Sequence, residues 1–357
     1  MKICLLTQTL DPRTGAGVFA GNLIEGIKKQ DPDNDISAMT GEDLLKPSLW
    51  KILKNLPSIR REIKKADIVH AMDAYPYGVI SCIANIAISK PIIITAIGSG
   101  SIRNINGYGF KSVSLRWAYG KATFITSISH YVASEIKKIL PLLHIEVINP
   151  GVDYNFYSDN REEVGSPASY EFVITQGEFK KRKGYEEILP VMKEVMKTKP
   201  DLRYVIVAND SRNKPYQGIL YRLMDDLGIQ DKVIVRSSLK REELRKAYGD
   251  ALLYLSLPKN VNGDIEGFGM AIMEAAATGT PSVVGRGSGA DDAVSDGQSG
   301  FLVDGGNKEE VVRKVLSVIE DGGLRERLSL GAKKWASKNI WESKISKYIE
   351  LYKKLQN

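Results

Sequence analysis

Two successive series of short apolar runs, each separated by longer amphipathic stretches, constrain this chain more than any other feature. In the first half, Lys2–Thr7, Ile36–Thr40, Asp67–Ala71, Pro91–Ile97, Ala122–Ser127 and Ile145–Ile148 are apolar runs too short for helices. In the second half, Glu171–Gln176, Arg203–Ala208, Lys232–Arg236, Ala251–Leu255, Pro281–Gly285 and Gly300–Val303 repeat the rhythm. Buried parallel strands joined by crossover helices produce this pattern, because a strand covered on both faces is apolar throughout rather than alternating. Between the series, NPGVDYNFYSDNREEVGSPASY (149–170) interrupts with Pro, Gly, Asp and Asn and reads as a linker. The expected architecture is therefore α/β, with two Rossmann-like units facing across a cleft and ligands at the carboxyl ends of the strands. Residues 1–160 form the first unit and 161–335 the second. The tail from Leu324 to Gln356 reads as helices, and its last part, 336–357, is expected to cross back onto the first unit.

Composition removes several alternatives. With 43% hydrophobic residues and 26% charged residues of mixed sign, the 357-residue chain is no disordered protein. Its two cysteines, Cys4 and Cys82, lie far apart in apolar segments, which offers neither a disulfide framework nor a Cys-based zinc site. Only three histidines (His70, His130, His144) are present, so a His-rich metal centre is not expected, and Asp33-Asn34-Asp35 reads as a solvated polar turn. The apolar run before Asp11-Pro12 is too short for a secretory segment, and no stretch approaches the roughly 18 apolar residues of a membrane span. The expected location is cytoplasmic.

The charge is unevenly placed. Residues 1–150 hold 18 Lys+Arg against 12 Asp+Glu, whereas residues 151–357 hold 32 against 31. The densest stretch, residues 48–65 (SLWKILKNLPSIRREIKK), carries six basic residues and one acid among Trp, Ile and Leu. Such a segment suits a helix on an anionic membrane surface. It equally suits an ordinary amphipathic helix with solvated charges, broken into pieces at Pro57. A modest basic excess without a basic-aromatic motif argues against nucleic acid.

Two glycine clusters follow strands. Gly15, Gly17 and Gly21 open a helix after the first strand, where amides and the helix dipole favour an anion. The dinucleotide version of this signal is weak, because seven residues (QTLDPRT) intervene and the second strand ends in Met39-Thr40-Gly41 without an acid. The second cluster, Gly98-Ser99-Gly100-Ser101, permits close approach by a sugar or phosphate, or forms a tight turn. Gly15, His70 and Ser99 are further candidates for ligand contact in the first unit, although a strand-end histidine such as His70 is commonly a structural residue.

The strongest local signal is Glu266-Gly267-Phe268-Gly269-Met270 followed by Glu274 and Gly279-Thr280-Pro281. Glycines open a helix on which Glu274 lies two turns beyond Glu266. At about 1.5 Å rise per residue the carboxylates stand roughly 10–12 Å apart, too far to act on one bond but suited to the two ends of an extended ligand. The amides of Phe268, Gly269 and Met270 would face a phosphate or sugar hydroxyl. Glu274, on an Ala/Met-rich helix, needs a partner, either a basic side chain or a hydroxyl-rich ligand such as ribose.

This frame of two glutamates with seven residues between them resembles the signature of the retaining family 4 glycosyltransferases, which have the GT-B fold. Val147-Ile-Asn-Pro-Gly151-Val152-Asp153 with Phe156 is similar to that family's linker motif. Gly177 with Lys183-Gly184 is similar to its phosphate-binding loop. Gly289–Gly297 and Gly300–Val303 are similar to its closing segment. The loop Pro258–Asp264 resembles the subgroup containing phosphatidylinositol mannosyltransferases. The resemblance implies a nucleotide-diphosphate-sugar donor, with Glu274 on the ribose hydroxyls, Glu266 on the donor sugar and Lys183 on the diphosphate. It also places Arg236–Leu239, with Ser238 and Leu239, at the base, and Gly17 near the β-phosphate. Gly267, Phe268, Gly269 and Met270 line the same donor site, and no obligatory metal is implied.

Two positions depart from the family pattern. Glu178 follows Gly177 where the family usually has Arg, and Arg182 is the expected replacement cation, making Glu266, Lys183 and Arg182 the catalytic candidates. Ile97 stands where the family often has His. The resulting expectation is a hexosyltransferase acting on a saccharide or lipid-linked acceptor held by the basic N-terminal unit. Its alternatives are a nucleotide-sugar-binding protein with weakened turnover, or a nicotinamide oxidoreductase using Gly15, Gly17 and Gly21.

Overall fold

The computed structural model describes residues 1–41, 49–159, 170–208, 213–237 and 239–356, excluding the side chains of 49–53. The chain divides into two compact units: Met1–Gly151 together with Trp341–Asn357, and Val152–Ile340.

In unit 1 the first apolar run becomes β1 (Lys2–Thr7), followed by α1 (Gly15–Gln30) and β2 (Asp35–Thr40). Next come α2 (Leu49–Lys65), β3 (Ile68–Met72), α3 (Val79–Ala84), β4 (Ile92–Ala96), α4 (Ser99–Ile102) and α5 (Phe110–Lys121). The unit continues with β5 (Phe124–Ser127), α6 (His130–Lys137) and β6 (Glu146–Val147). The six strands lie in the order β2-β1-β3-β4-β5-β6, with every pairing parallel. All five residues of β3 and of β4 are buried, as continuous apolar runs covered on both faces require. α2 runs unbroken through Pro57, contrary to the expected break. Proline removes only its own N–H from the ladder, and Ile59 and Ile63, both 0% exposed, keep the helix on the core.

Unit 2 begins with α7 (Tyr154–Ser158) and β7 (Phe172–Gln176), then α8 (Tyr185–Thr198), β8 (Arg203–Val207), α9 (Lys214–Asp226) and β9 (Val233–Arg236). It continues with α10 (Arg241–Asp250), β10 (Leu253–Ser256), α11 (Met270–Thr278), β11 (Ser282–Gly285) and β12 (Gly300–Val303). α12 (Lys308–Glu320) and α13 (Gly322–Lys338) complete it. Its sheet is also six-stranded and parallel, ordered β12-β11-β10-β7-β8-β9. The division falls at 151/152 and 340/341 rather than at 160/161 and 335/336. The Val152 amide donates to the Asn339 carbonyl at 2.9 Å, and Val152 bridges Ile340, so the start of unit 2 is sewn to its end.

The last helix, α14 (Trp341–Gln356), belongs to unit 1 and packs on α1. Phe19 and Trp341 have ring centroids 5.6 Å apart, and a Cβ at Gly26 would lie 2.6 Å from Ile345 Cγ1. Because β3 lies at the centre of the sheet, this helix covers a core rather than an edge.

Candidate functional site

The end of β7 positions the first part of the site. Tyr185 donates to the Gly177 carbonyl at 2.7 Å and Tyr254 to the Gln176 carbonyl at 3.1 Å, so two tyrosines hold the strand's carboxyl end. At Gly177 a side chain would meet Lys183 Cε at 3.0 Å, and its absence lets the lysine lie across the strand end. Lys181–Lys183 form a single tight turn that ends in Gly184 at φ 73°. A Cβ on Gly184 would overlap the Leu257 carbonyl, so glycine alone allows this turn to sit against the end of β10. The Lys259 amide donates to the Arg182 carbonyl at 2.9 Å, fixing the loop that leads to Glu266.

Three predicted residues meet here. Arg182 Nη1 and Lys183 Nζ each approach Glu266 Oε2 at 2.6 Å, and Arg182 Nε lies 3.4 Å from Asp264 Oδ1. Their side chains are only 13–17% exposed. Burial pushes the Glu266 carboxyl upward, but Lys183 and Arg182 overcome it and hold the group at about 2. The same burial lowers Lys183, offset in part by Glu266. Glu178 pairs with Lys180 at 2.5 Å and leaves Arg182 as the guanidinium on Glu266. Glu266 is thus a carboxylate under two cations, with no acidic proton to donate near neutral pH.

Past Glu266 the chain turns into α11 through Gly269 at φ 85°, and no side chain caps that start. The Gly289 amide donates to the Glu266 carbonyl at 3.0 Å, bringing the 289–297 segment against the glycine turn. Phe268 is buried, while Gly267 and Met270 are partly exposed. Two turns on, Glu274 accepts from Tyr248 Oη at 3.2 Å and also faces the Tyr157 hydroxyl. Burial raises its carboxyl, opposed by these hydroxyls and by Arg241. Within the protein, tyrosines from α7 and α10 rather than a basic side chain supply its hydrogen bonds. Arg241 in turn binds Asp153 at 2.5 Å and stacks 3.9 Å over Phe156. Leu239 is half-buried beyond β9, and Ser238 lies outside the described residues.

In unit 1, Thr14 caps α1 by accepting the Gly17 amide at 3.0 Å, so that amide is engaged within the helix start. A Cβ at Gly17 would overlap the Asp11 carbonyl, which is a packing reason for glycine independent of any phosphate. Gly15 is the first residue of α1. His70 is fully buried, with Nδ1 2.7 Å from Tyr352 Oη and Nε2 2.7 Å from Thr95 Oγ1. Burial pushes it down to about 3. With both ring nitrogens engaged, His70 links β3 and β4 to α14 and is no acceptor ligand. Ser99 starts α4 and is partly exposed.

Asp73, immediately after β3, escaped sequence reasoning. At φ 82° it accepts from Ser101 Oγ and from the amides of Ala74, Ile97 and Gly100. Burial lifts its carboxyl to about 6 against those bonds. It organises the second glycine cluster, and Gly100 has no room for a Cβ beside it. A lone aspartate ending a strand carried no signal of that pairing. Among the described residues no group of three His, Cys, Asp or Glu side chains could hold a metal ion, and no helix is long and apolar enough to cross a membrane. Of the basic stretch 48–65, Ser48 and the side chains of 49–53 lie outside the described residues.

Two Rossmann-like parallel α/β units, one carrying a cation-clamped glutamate before a glycine-opened helix, define the GT-B class of glycosyltransferase folds. The family model described as glycosyl transferases group 1 matches residues 157–335, and that described as glycosyltransferase family 4 matches residues 15–156. The chain belongs to this glycosyltransferase family. It is 27% identical over 250 residues to the GDP-mannose-dependent alpha-(1-6)-phosphatidylinositol monomannoside mannosyltransferase of Mycolicibacterium smegmatis, covering 67% of this chain and 64% of that protein. Among solved structures, a glycosyltransferase from Rickettsia africae superposes with a TM-score of 0.81 at 18% identity, covering 99% of this chain and 98% of the other. Anabaena HepE in complex with UDP and glucose gives 0.79 at 18% identity, covering 99% and 100%.

Proposed function

We propose that this chain transfers a hexose, with retention, from a nucleotide-diphosphate sugar to a saccharide or lipid-linked acceptor held by unit 1. The observation that carries the reading is the convergence of Arg182 and Lys183 on Glu266, beside the uncapped start of α11. Departure of the donor breaks the bond between the anomeric carbon and the β-phosphate oxygen, leaving negative charge on the diphosphate. Two pre-positioned cations and the amides at the head of α11 stabilise that charge as it develops. As the cations turn to the diphosphate, Glu266 is released to accept hydrogen bonds from sugar hydroxyls. Glu274 exchanges its tyrosine partners for ribose hydroxyls. The acceptor hydroxyl attacks on the face the leaving group vacates, and its proton passes to a phosphate oxygen of the departing diphosphate. No step needs a metal. The GDP-mannose-dependent relative and the UDP complex of HepE support a nucleotide-sugar donor. A basic amphipathic α2 supports work at the cytoplasmic face of an anionic membrane, on glycan or glycolipid precursors.

Thermal-shift measurements with UDP, GDP and ADP and their hexose conjugates test the reading, since a ligand that binds only the folded state raises its melting point. One nucleotide series should stabilise the protein, and the conjugate should turn over. Tight donor binding with neither hydrolysis nor transfer would instead mark a nucleotide-sugar-binding protein. Stabilisation by NAD(P) alone would overturn the proposal.

A further inference from the structure

The side of α5 turned away from the core carries an apolar stripe that, among the described residues, is largely exposed. Ser112, Ser114, Leu115, Ala118 and Tyr119 of this helix face the core. At 3.6 residues per turn, Phe110, Val113 and Trp117 fall within about 60° of one another on the other side. Phe110 is 71% exposed and Val113 52%, Trp117 is half-buried, and Tyr108 just before the helix is 96% exposed. The loop is fixed in this position. Arg116 Nη1 donates to the carbonyls of Ile105 at 2.7 Å and Gly107 at 2.8 Å, so Tyr108 stands on a braced turn.

The segment that carries α5 is strongly basic. Residues 49–123 hold 11 Lys+Arg and 3 Asp+Glu, while the rest of the chain holds 39 against 40. Each of the three acids is engaged: Glu62 with Lys65 at 2.8 Å, Asp67 with the Lys2 amide at 2.7 Å, and Asp73 with Ser101. α3 packs against both α2 and α5, and Arg60 Nη1 ties α2 to the end of α3 by donating to the Ala84 carbonyl at 2.8 Å and the Ile86 carbonyl at 3.0 Å. The whole positive excess of the protein therefore belongs to the segment that also presents the bare aromatic stripe.

We infer, resting on the membrane reading proposed for α2, that Tyr108, Phe110, Val113 and Trp117 form a second contact that dips into an anionic bilayer surface. Aromatic side chains seat at the headgroup boundary while neighbouring Lys and Arg meet anionic lipids. A second copy of the chain fits this surface poorly, because pairing the stripes would bring two basic layers together.

Sedimentation with vesicles of phosphatidylcholine alone and of a phosphatidylcholine–phosphatidylglycerol mixture tests the inference at low salt. Wild type should partition at least about tenfold more strongly to the mixture. The combined variant Tyr108→Ser, Phe110→Ser, Val113→Ser should lose about tenfold or more of that binding with its melting point unchanged. Phe110→Trp should shift its emission to the blue on binding and be quenched by brominated lipid. If Lys51→Gln, Lys54→Gln, Lys64→Gln abolishes binding while the serine variant binds as wild type, α2 docks alone and the α5 contact is refuted. If wild type ignores both vesicles, the membrane reading falls with it, whereas nucleotide thermal shifts still decide the transferase. A wild-type dimer that the serine variant converts to monomer would assign the stripe to self-association and overturn the inference.

Discussion

Replacing Glu266 by glutamine removes the one negative charge on which Arg182 and Lys183 both close at 2.6 Å. Two cations of 16–17% exposure then share a neutral amide, and the loss of a mostly buried ion-pair partner costs about 2–4 kcal/mol after discounting for residual solvent. For a unit of the size of Val152–Ile340, about 2–4 °C of melting temperature accompanies each kcal/mol, so unit 2 should melt roughly 4–16 °C lower. The deficit should depend on pH in a definite direction. Glu266 is held near 2 when folded, below an ordinary carboxylate, so its contribution is full above the unfolded value and fades as pH falls toward 2. Calorimetric scans of wild type and Glu266→Gln should therefore converge on acidification. Pyrophosphate, an anion that can replace the missing carboxylate, should stabilise the variant more than wild type. Equal melting points at neutral pH, or a variant that pyrophosphate fails to stabilise, would refute the view that these cations exchange Glu266 for a diphosphate.

Arg182→Ala and Lys183→Ala should each slow transfer by about 2–4 kcal/mol in activation free energy, roughly 30- to 1,000-fold, seen in steady-state kcat. An Arg182 variant with full turnover would show that Lys183 suffices. Gly184→Ala should lower the unfolding free energy of unit 2, read from urea denaturation, by at least about 1–3 kcal/mol, because the left-handed turn and the Leu257 carbonyl both resist a Cβ. Tyr352→Phe should cost unit 1 about 1–3 kcal/mol in chemical denaturation by leaving a buried His70 nitrogen unpartnered, with no effect on nucleotide binding. His70 is held near 3, so folded unit 1 refuses a proton that the unfolded chain takes up below its ordinary value. That stability should decline as pH falls from about 6.5 toward 3, and a His70→Gln variant should flatten the decline.

The site was legible in parts for physical reasons that differ from residue to residue. Glu266 could be singled out because glycines follow it and open a helix, whereas Lys183 and Arg182 came from the family resemblance and the departure at Glu178. Glu274's need for a partner was equally plain, since a carboxylate on an Ala/Met-rich helix cannot stay bare. Its actual partner was not legible, because Tyr157 and Tyr248 are brought to it from α7 and α10 by packing. Asp73 and Ser101 lie 28 residues apart in sequence, and only the parallel pairing of β3 with β4 makes them neighbours.

The sequence by itself determined where the described strands fall and the two-unit α/β plan, because burial on both faces writes central strands such as β3 and β4 as uninterrupted apolar runs. It also localised the glycine turn that carries Glu266 into α11, which answers to local backbone requirements. Only the tertiary structure decided that His70 is a fastening between β3, β4 and α14, that Gly17 is required by Asp11, and that α5 keeps an apolar stripe in water. Those outcomes depend on which surfaces meet after the chain has folded. A run of residues records its own periodicity but not the partner that covers it.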